Sequence, residues 1–353
     1  MRYFTNSRPI QNAPILITIL VFIFGSPANL LPVKVQRRFL IAFFICCALL
    51  IGQEGERVAF TSANPFSLYH IITDLDNQEF QESYGILRIP DNAEPKKLPL
   101  VVGVAGSKNW ADHHLEYLAM YREMGFATFE LQSFDARSVQ STVGEQISVT
   151  TAMMILDAYR ALDVLVEDPR INAERIAITG WSLGGGVTLF SAWTPVIEAI
   201  QSKGRFRAHL SFYPPCISNP GLIDFSDSPI HILAGELDNW VPAEPCEDLA
   251  LEMQAAGVNA GITVYPNAHH GFDRKGELEI AENGYTTGNC NFTMRKDGAL
   301  LMNFLDIPMI TPLRQKIALA FCAGRGPTLG GNPEARKAAF AFAREFMQKH
   351  LGQ

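Results

Sequence analysis

"RIAITGWSLGGG", Arg175 to Gly186, decides how this chain is read. Its first half is a short apolar run, and it ends at a serine, Ser182, set between Gly180 and Gly184–Gly186. The next run, "VTLFSAW", is again apolar, so the serine sits where a strand turns into a helix. In such a turn, side chains two residues either side of the serine would collide with neighbouring backbone. Glycine at those positions removes the collision and lets the hydroxyl stand clear of the chain. Leu183 then offers its N–H at a helix start, where amides have no intrahelical acceptor. With Gly and Ser each near average use, G-x-S-x-G arises by chance about once in ten chains of this length. A plain tight turn is therefore the competing reading, and the surroundings have to decide.

From about residue 80, strand-like and helix-like runs alternate. "YGILRIP" (Tyr84–Pro90), "LPLVVGVAG" (Leu98–Gly106), "FATFELQSF" (Phe126–Phe134), "RIAITG" (Arg175–Gly180), "AHLSFYP" (Ala208–Pro214), "PIHILAG" (Pro229–Gly235) and "GITVYP" (Gly261–Pro266) read as strands. Runs this continuously apolar belong in a sheet buried on both faces. Between them, "DHHLEYLAMYREMG", "VTTAMMILDAYRALDVLVED" and "EPCEDLALEMQAAG" have helical spacing. "NPEARKAAFAFAREFMQKH" opens on an Asn-Pro cap. The alternation predicts an α/β fold, a mostly parallel central sheet with helices on both faces. Ligands of such sheets lie beyond the carboxyl ends of the strands.

The residues just past the strand ends supply the chemistry. Ser182 stands at the end of one strand. A serine hydroxyl needs a base. Of the 8 histidines, His269 and His270 lie in a loop after the last strand, in "YPNAHHGFD". An imidazole needs a carboxylate to fix its tautomer. Asp238, in "ILAGELDNWVP", comes after a third strand, with Glu236 as the substitute. Taken singly, Asp238 could be a turn former and either histidine a solvated loop residue. Together Ser182, Asp238 and His270 stand in the chain order Ser–Asp–His of an α/β-hydrolase. Acyl transfer also needs oxyanion donors. Leu183 N–H is one, and the loop "VAGSKNW" (Val104–Trp110) offers Ser107 N–H as the second, with Lys108 next.

The stretches "VVGVAGSKNW", "LQSFDARSVQST", "RIAITGWSLGGG", "ILAGELDNWVP" and "YPNAHHGFD", spread over residues 80–350, resemble the dienelactone hydrolase family of α/β-hydrolases. In that family the histidine before Gly-Phe is the catalytic one, which implies His270 rather than His269. Ser182 departs from dienelactone hydrolase itself, whose nucleophile is cysteine, and is compatible with esterase-type relatives. The resemblance implies a serine hydrolase that cleaves a small-molecule carboxylic ester or lactone through an acyl-enzyme, with no cofactor and no metal. A peptidase or acyltransferase would use the same triad, and a non-catalytic binding member would not need all three positions filled. Residues 277–333 are an excursion beyond a minimal member. Cys290 and Cys322 bracket it and are expected to form a disulfide, while Cys216 and Cys246 either pair or stay reduced.

The front of the chain differs in kind. "PILITILVFIFG" (Pro14–Gly25) and "RRFLIAFFICCALLIG" (Arg37–Gly52) are apolar, and the second has the basic start of a secretory signal. An uncleaved anchor is the other reading, and a buried helix the third. "TSA" (Thr61–Ala63) offers small residues for cleavage. Residues 1–63 are thus expected to be a signal or anchor and 64–353 the hydrolase domain. Export or membrane anchoring is the corresponding expectation, and export would permit disulfides among the four remaining cysteines. No C-x-x-C pair occurs, which disfavours a zinc site. The net charge of −7, with acids and bases mixed and no basic stripe, disfavours nucleic acid as a partner.

Overall fold

The structure, a computed structural model, describes residues 55–91, 97–302 and 304–352. The first half runs β1 (Glu56–Ala63), α1 (Leu68–Thr73), β2 (Phe80–Arg88), β3 (Leu98–Val104), α2 (Asp112–Glu123), β4 (Ala127–Leu131), α3 (Thr151–Leu165) and β5 (Ile171–Trp181). Next come α4 (Leu183–Phe190), α5 (Thr194–Ile200), β6 (His209–Phe212), β7 (Ser218–Pro220), β8 (Ile230–Gly235), α6 (Glu244–Ala255) and β9 (Ala260–Tyr265). Then come short pieces: β10 (Glu279–Ile280), β11 (Tyr285–Thr286), β12 (Phe292–Met294), α7 (Pro312–Cys322), β13 (Gly324–Arg325) and β14 (Thr328–Leu329). The last element is α8 (Pro333–Leu351).

Eight strands form one sheet in the order β1-β2-β4-β3-β5-β6-β8-β9. The pairs β1–β2 and β2–β4 are antiparallel, and every other neighbour is parallel. Alternate residues of the buried strands feed two separate cores, as the twofold period of a strand requires. Leu100, Val102 and Val104 pack with α3 and α4 on one face, while Val101 packs with Tyr117, Leu118, Ala339 and Met347 on the other. Helices therefore cover both faces, and the fold is that of the α/β-hydrolases.

The chain goes from β3 outward to β4 and then returns to β5 on the other side of β3. The strand order reverses there, so the loops after β3 and β5 diverge and leave a crevice at the sheet's carboxyl edge. Ser107 and Ser182 are the residues that these loops carry into it.

The domain starts earlier than the sequence pattern suggests. Glu56–Ala63, expected to lie in the signal or anchor region, is the edge strand β1, paired with β2 over its whole length. Phe60 and Ser62 are buried. Its charged, alternating pattern hides it beside the apolar runs before it. Thr61–Ala63, offered as a cleavage point, is thus a built part of the sheet. The apolar runs themselves fall in residues 1–54, outside the described residues.

The segment "SFDARSVQST" has a structural use. The Arg137 guanidinium donates to both carboxylate oxygens of Asp157 on α3, at 2.7 and 3.1 Å. It also donates to Asn64 Oδ1 at 2.8 Å and to the carbonyls of Ser133 and Ala63 at 3.0 and 3.2 Å. A buried, bidentate pair with its remaining donors satisfied fixes the end of β1, the turn after β4 and α3 to one another.

Residues 277–333 form a small subassembly with a core of its own, in which Cys290, Phe292, Met302, Met309, Ala318 and Leu319 are buried. The Cys290–Cys322 disulfide closes it as expected, and Cys216 and Cys246 are also disulfide-bonded. The excursion is stitched to the body by the parallel pairing of β12 with β7 and by a bridge between Leu329 and His270.

Candidate active site

Ser182 lies between β5 and α4 with φ 57° and ψ −115°, a strained backbone for a residue with a Cβ. The turn closes only because its neighbours are glycines. A Cβ on Gly180 would strike the Gly184 carbonyl, and one on Gly184 would strike the carbonyls of Val104 and Ala105. The start of α4 is thereby pressed onto the end of β3, at the base of the crevice. The Ser182 N–H is occupied, donating to the Phe212 carbonyl at 2.9 Å.

The three residues read from separate loops meet. Ser182 Oγ is 2.9 Å from His270 Nε2, and His270 Nδ1 is 2.7 Å from Asp238 Oδ2. One tautomer satisfies both contacts: Nδ1–H donates to the carboxylate and Nε2 accepts from the serine hydroxyl. Asp238 and His270 are both buried. The other carboxylate oxygen of Asp238 accepts from the backbone N–H of Trp240 and Val241, each at 2.9 Å. Both Asp238 oxygens are thus engaged, and the side chain has one orientation.

The alternatives weighed for these positions are used elsewhere. Among the described residues, His269 Nδ1 is buried without a protein partner and takes no part in the relay. Glu236 accepts from the Asn267 N–H at 2.8 Å and so braces the loop that carries His270. Ser107 and Leu183 both border the cavity in front of Ser182. Among the described residues, neither N–H finds an acceptor within the protein. The Ser107 peptide is held by its carbonyl, which accepts from Thr142 N–H at 2.9 Å and Ser141 Oγ at 3.0 Å. Lys108, the other residue considered for the second donor, has a half-exposed side chain outside the cavity lining.

Two aromatic residues that the sequence pattern does not single out pack against the imidazole. The Tyr213 ring meets His270 edge-on with centroids 4.7 Å apart, and the Trp240 ring lies 4.9 Å away. Tyr213 has φ 36° and donates its hydroxyl to Asp273 Oδ1 at 2.9 Å. Asp273 is fully buried, with His113 Nε2 3.7 Å away. Burial lowers the His113 pKa, with the Asp273 charge acting in the opposite direction. This buried cluster holds the Tyr213 ring where it restricts His270. "FYPP" after β6 and the aspartate of "HHGFD" are the only signals for it.

A cavity of about 200 Å³ opens in front of Ser182. The excursion supplies much of its wall, including Phe292, Met294, Leu300, Met309 and Leu319. Residues 277–333 are thus part of the pocket wall and not surface decoration alone. Among the described residues, no group of three or more His, Cys, Asp or Glu side chains could hold a metal ion.

Residues 117–289 match a model described as the dienelactone hydrolase family. Over that stretch the chain is similar to the dienelactone hydrolase family. The matched residues contain Ser182, Asp238 and His270 and stop short of most of the excursion. Proteins named "Putative carboxymethylenebutenolidase" from Escherichia coli O157:H7 and Yersinia pestis are 33% and 31% identical to this chain over 104 residues. Each match covers 29% of this chain, and 38% and 39% of the respective relatives. The chain therefore aligns with well under half the length of these curated relatives. A solved structure named m3DLH superposes with a TM-score of 0.53 at 16% identity, over 84% of this chain and 98% of that one, a likeness of fold.

Proposed function

We propose that this dienelactone hydrolase relative is a serine hydrolase that cleaves a carboxylic ester or lactone through an acyl-enzyme. The observation that carries the proposal is the buried relay from Asp238 through His270 to the hydroxyl of Ser182, facing a cavity. In the first half-reaction Ser182 Oγ bonds to the acyl carbon as its proton passes to His270 Nε2. The carbonyl electron pair moves onto oxygen, which the N–H groups of Leu183 and Ser107 receive. Collapse of the tetrahedral intermediate breaks the bond to the leaving alkoxide, which takes the proton from His270. Water then attacks the acyl-serine by the same route and releases the acid. The Asp238 carboxylate beside Nδ1 stabilises the imidazolium.

The related proteins named carboxymethylenebutenolidase support a lactone or ester as substrate class, and nothing observed favours peptide cleavage or acyl transfer to another acceptor. The test is partition of the intermediate. The full chain turning over p-nitrophenyl butyrate in hydroxylamine is expected to form butyryl hydroxamate at the expense of butyrate. Hydrolysis without hydroxamate would contradict an acyl-enzyme, and no turnover of any ester or lactone would contradict the function.

We further infer that the chain works in an oxidising compartment. The support is two disulfides in the described domain and the secretory pattern of the sequence. No described helix is long and apolar enough to cross a membrane, and the anchoring expectation concerns residues outside those described. Thiol titration of the unreduced, denatured protein isolated from its natural host should find Cys216, Cys246, Cys290 and Cys322 unreactive. Four reactive thiols there would contradict it.

A further inference from the structure

The cavity in front of Ser182 has a chemical character that the family resemblance does not convey. The described residues that line it include no aspartate, glutamate, lysine, arginine or histidine. Its wall is Phe66, Leu68, Phe190, Ile217 and the apolar residues of the excursion, with hydroxyls and amides such as Thr151 and Gln315 as the polar exceptions. Two cations stack on lining rings from outside the cavity. Lys108 Nζ lies 5.9 Å from the Trp240 ring and 4.0 Å from Glu279. Arg325 lies 3.8 Å over Tyr285 and donates to the Asn283 carbonyl at 2.8 Å.

A carboxylate at the far end of such an arm would lose its hydration without gaining a cation, because the N–H groups of Ser107 and Leu183 are taken by the reacting carbonyl oxygen. A lactone that bears a carboxyl group, as the name carboxymethylenebutenolidase specifies, is therefore poorly matched to this wall. An uncharged hydrocarbon arm gains about 0.8 kcal/mol for each methylene it buries there. An apolar cavity of about 150 Å³ accommodates benzene, so this slightly larger one suits an arm of roughly six to eight carbons.

We propose that the substrate is an uncharged ester whose acyl arm is a hydrocarbon chain of this size, held against Phe292, Met294, Leu300, Met309 and Leu319. The proposal rests on the serine hydrolase reading for its chemistry, and on the cavity lining alone for its selectivity. The excursion of residues 277–333 is then the specificity element. The disulfide between Cys290 and Cys322 fixes the segment that carries the wall.

Two measurements separate selectivity from catalysis. For the full chain, kcat/KM is measured on p-nitrophenyl esters from acetate to dodecanoate and on the mono-p-nitrophenyl ester of adipic acid, the ω-carboxylate analogue of the hexanoate. The expected profile peaks at six to eight carbons, and the adipate is at least about 100-fold poorer than the hexanoate, as a desolvated unpaired charge requires. For Ser182→Ala, calorimetry is expected to detect binding of p-nitrophenyl hexanoate and at least tenfold weaker binding of the adipate monoester. A flat length profile, or an adipate bound or cleaved as well as the hexanoate, overturns the proposal. Binding of the hexanoate by Ser182→Ala without turnover by the native chain keeps the pocket and removes the catalytic reading. Turnover of acetate with no binding preference does the reverse. Gln315→Lys, a change on the partly exposed helix α7, supplies the missing cation. It should improve the adipate relative to the hexanoate by about tenfold, and no change in that ratio counts against the proposal.

Discussion

Ser182→Ala is expected to lower kcat by about 10⁵- to 10⁶-fold, with KM and the melting temperature little changed. Removing the hydroxyl takes away the atom proposed to bond to the acyl carbon, and the neighbouring N–H donors alone would leave only residual acceleration over water. The fold should tolerate the change for reasons visible at the site. The Ser182 N–H donates to the Phe212 carbonyl through backbone, which alanine preserves. The strained φ of 57° is carried equally by either residue, since both have one Cβ. The side-chain bond lost is the one to His270 at 2.9 Å. Steady-state kinetics with a thermal melt check this. Residual activity within tenfold of the native chain, on a folded protein, would mean that another group attacks the substrate.

The second large effect is Asp238→Asn, for which kcat should fall by about 10⁴-fold. The asparagine carbonyl oxygen can keep the bonds from Trp240 and Val241 N–H, which occupy the far carboxylate oxygen in the native chain. That leaves the amide NH₂ facing His270 Nδ1. A donor in that place makes Nδ1 the acceptor and moves the ring proton to Nε2, where it opposes the serine hydroxyl instead of receiving its proton. Geometry survives while the tautomer is wrong, so the loss should appear in kcat at unchanged melting temperature. A loss under tenfold would show that Asp238 does not set the tautomer of His270.

The candidate site is legible in the sequence because each of its parts stands just past a strand. Apolar runs locate strand ends, strand ends locate the crevice, and only a few loop residues there have useful chemistry. Ser182, Asp238 and His270 can be named this way, and the structure brings all three within hydrogen-bonding distance. The disulfide of the excursion is legible from its bracketing cysteines. Other features leave weaker traces. Strand β1 is short of apolar residues because an edge strand of this sheet is half exposed, so it merges with the segment before it. The donors to Asp238 are backbone amides, which no residue type advertises. Tyr213 and Asp273 act by burial and long-range packing, and such contacts between residues 60 apart in sequence have no periodic signature. The cavity wall lies in a segment of very short strands, β10 to β14, two or three residues each, which pair with one another and, through β12, with β7.

The central claim is that Ser182 is a nucleophile activated by His270. It is tested most directly by treating the folded chain with a fluorophosphonate and mapping the adduct by mass spectrometry. One adduct per chain is expected, on the peptide containing Ser182, absent from Ser182→Ala and strongly slowed in His270→Ala. An adduct on another residue, or equal labelling of Ser182→Ala, would contradict it.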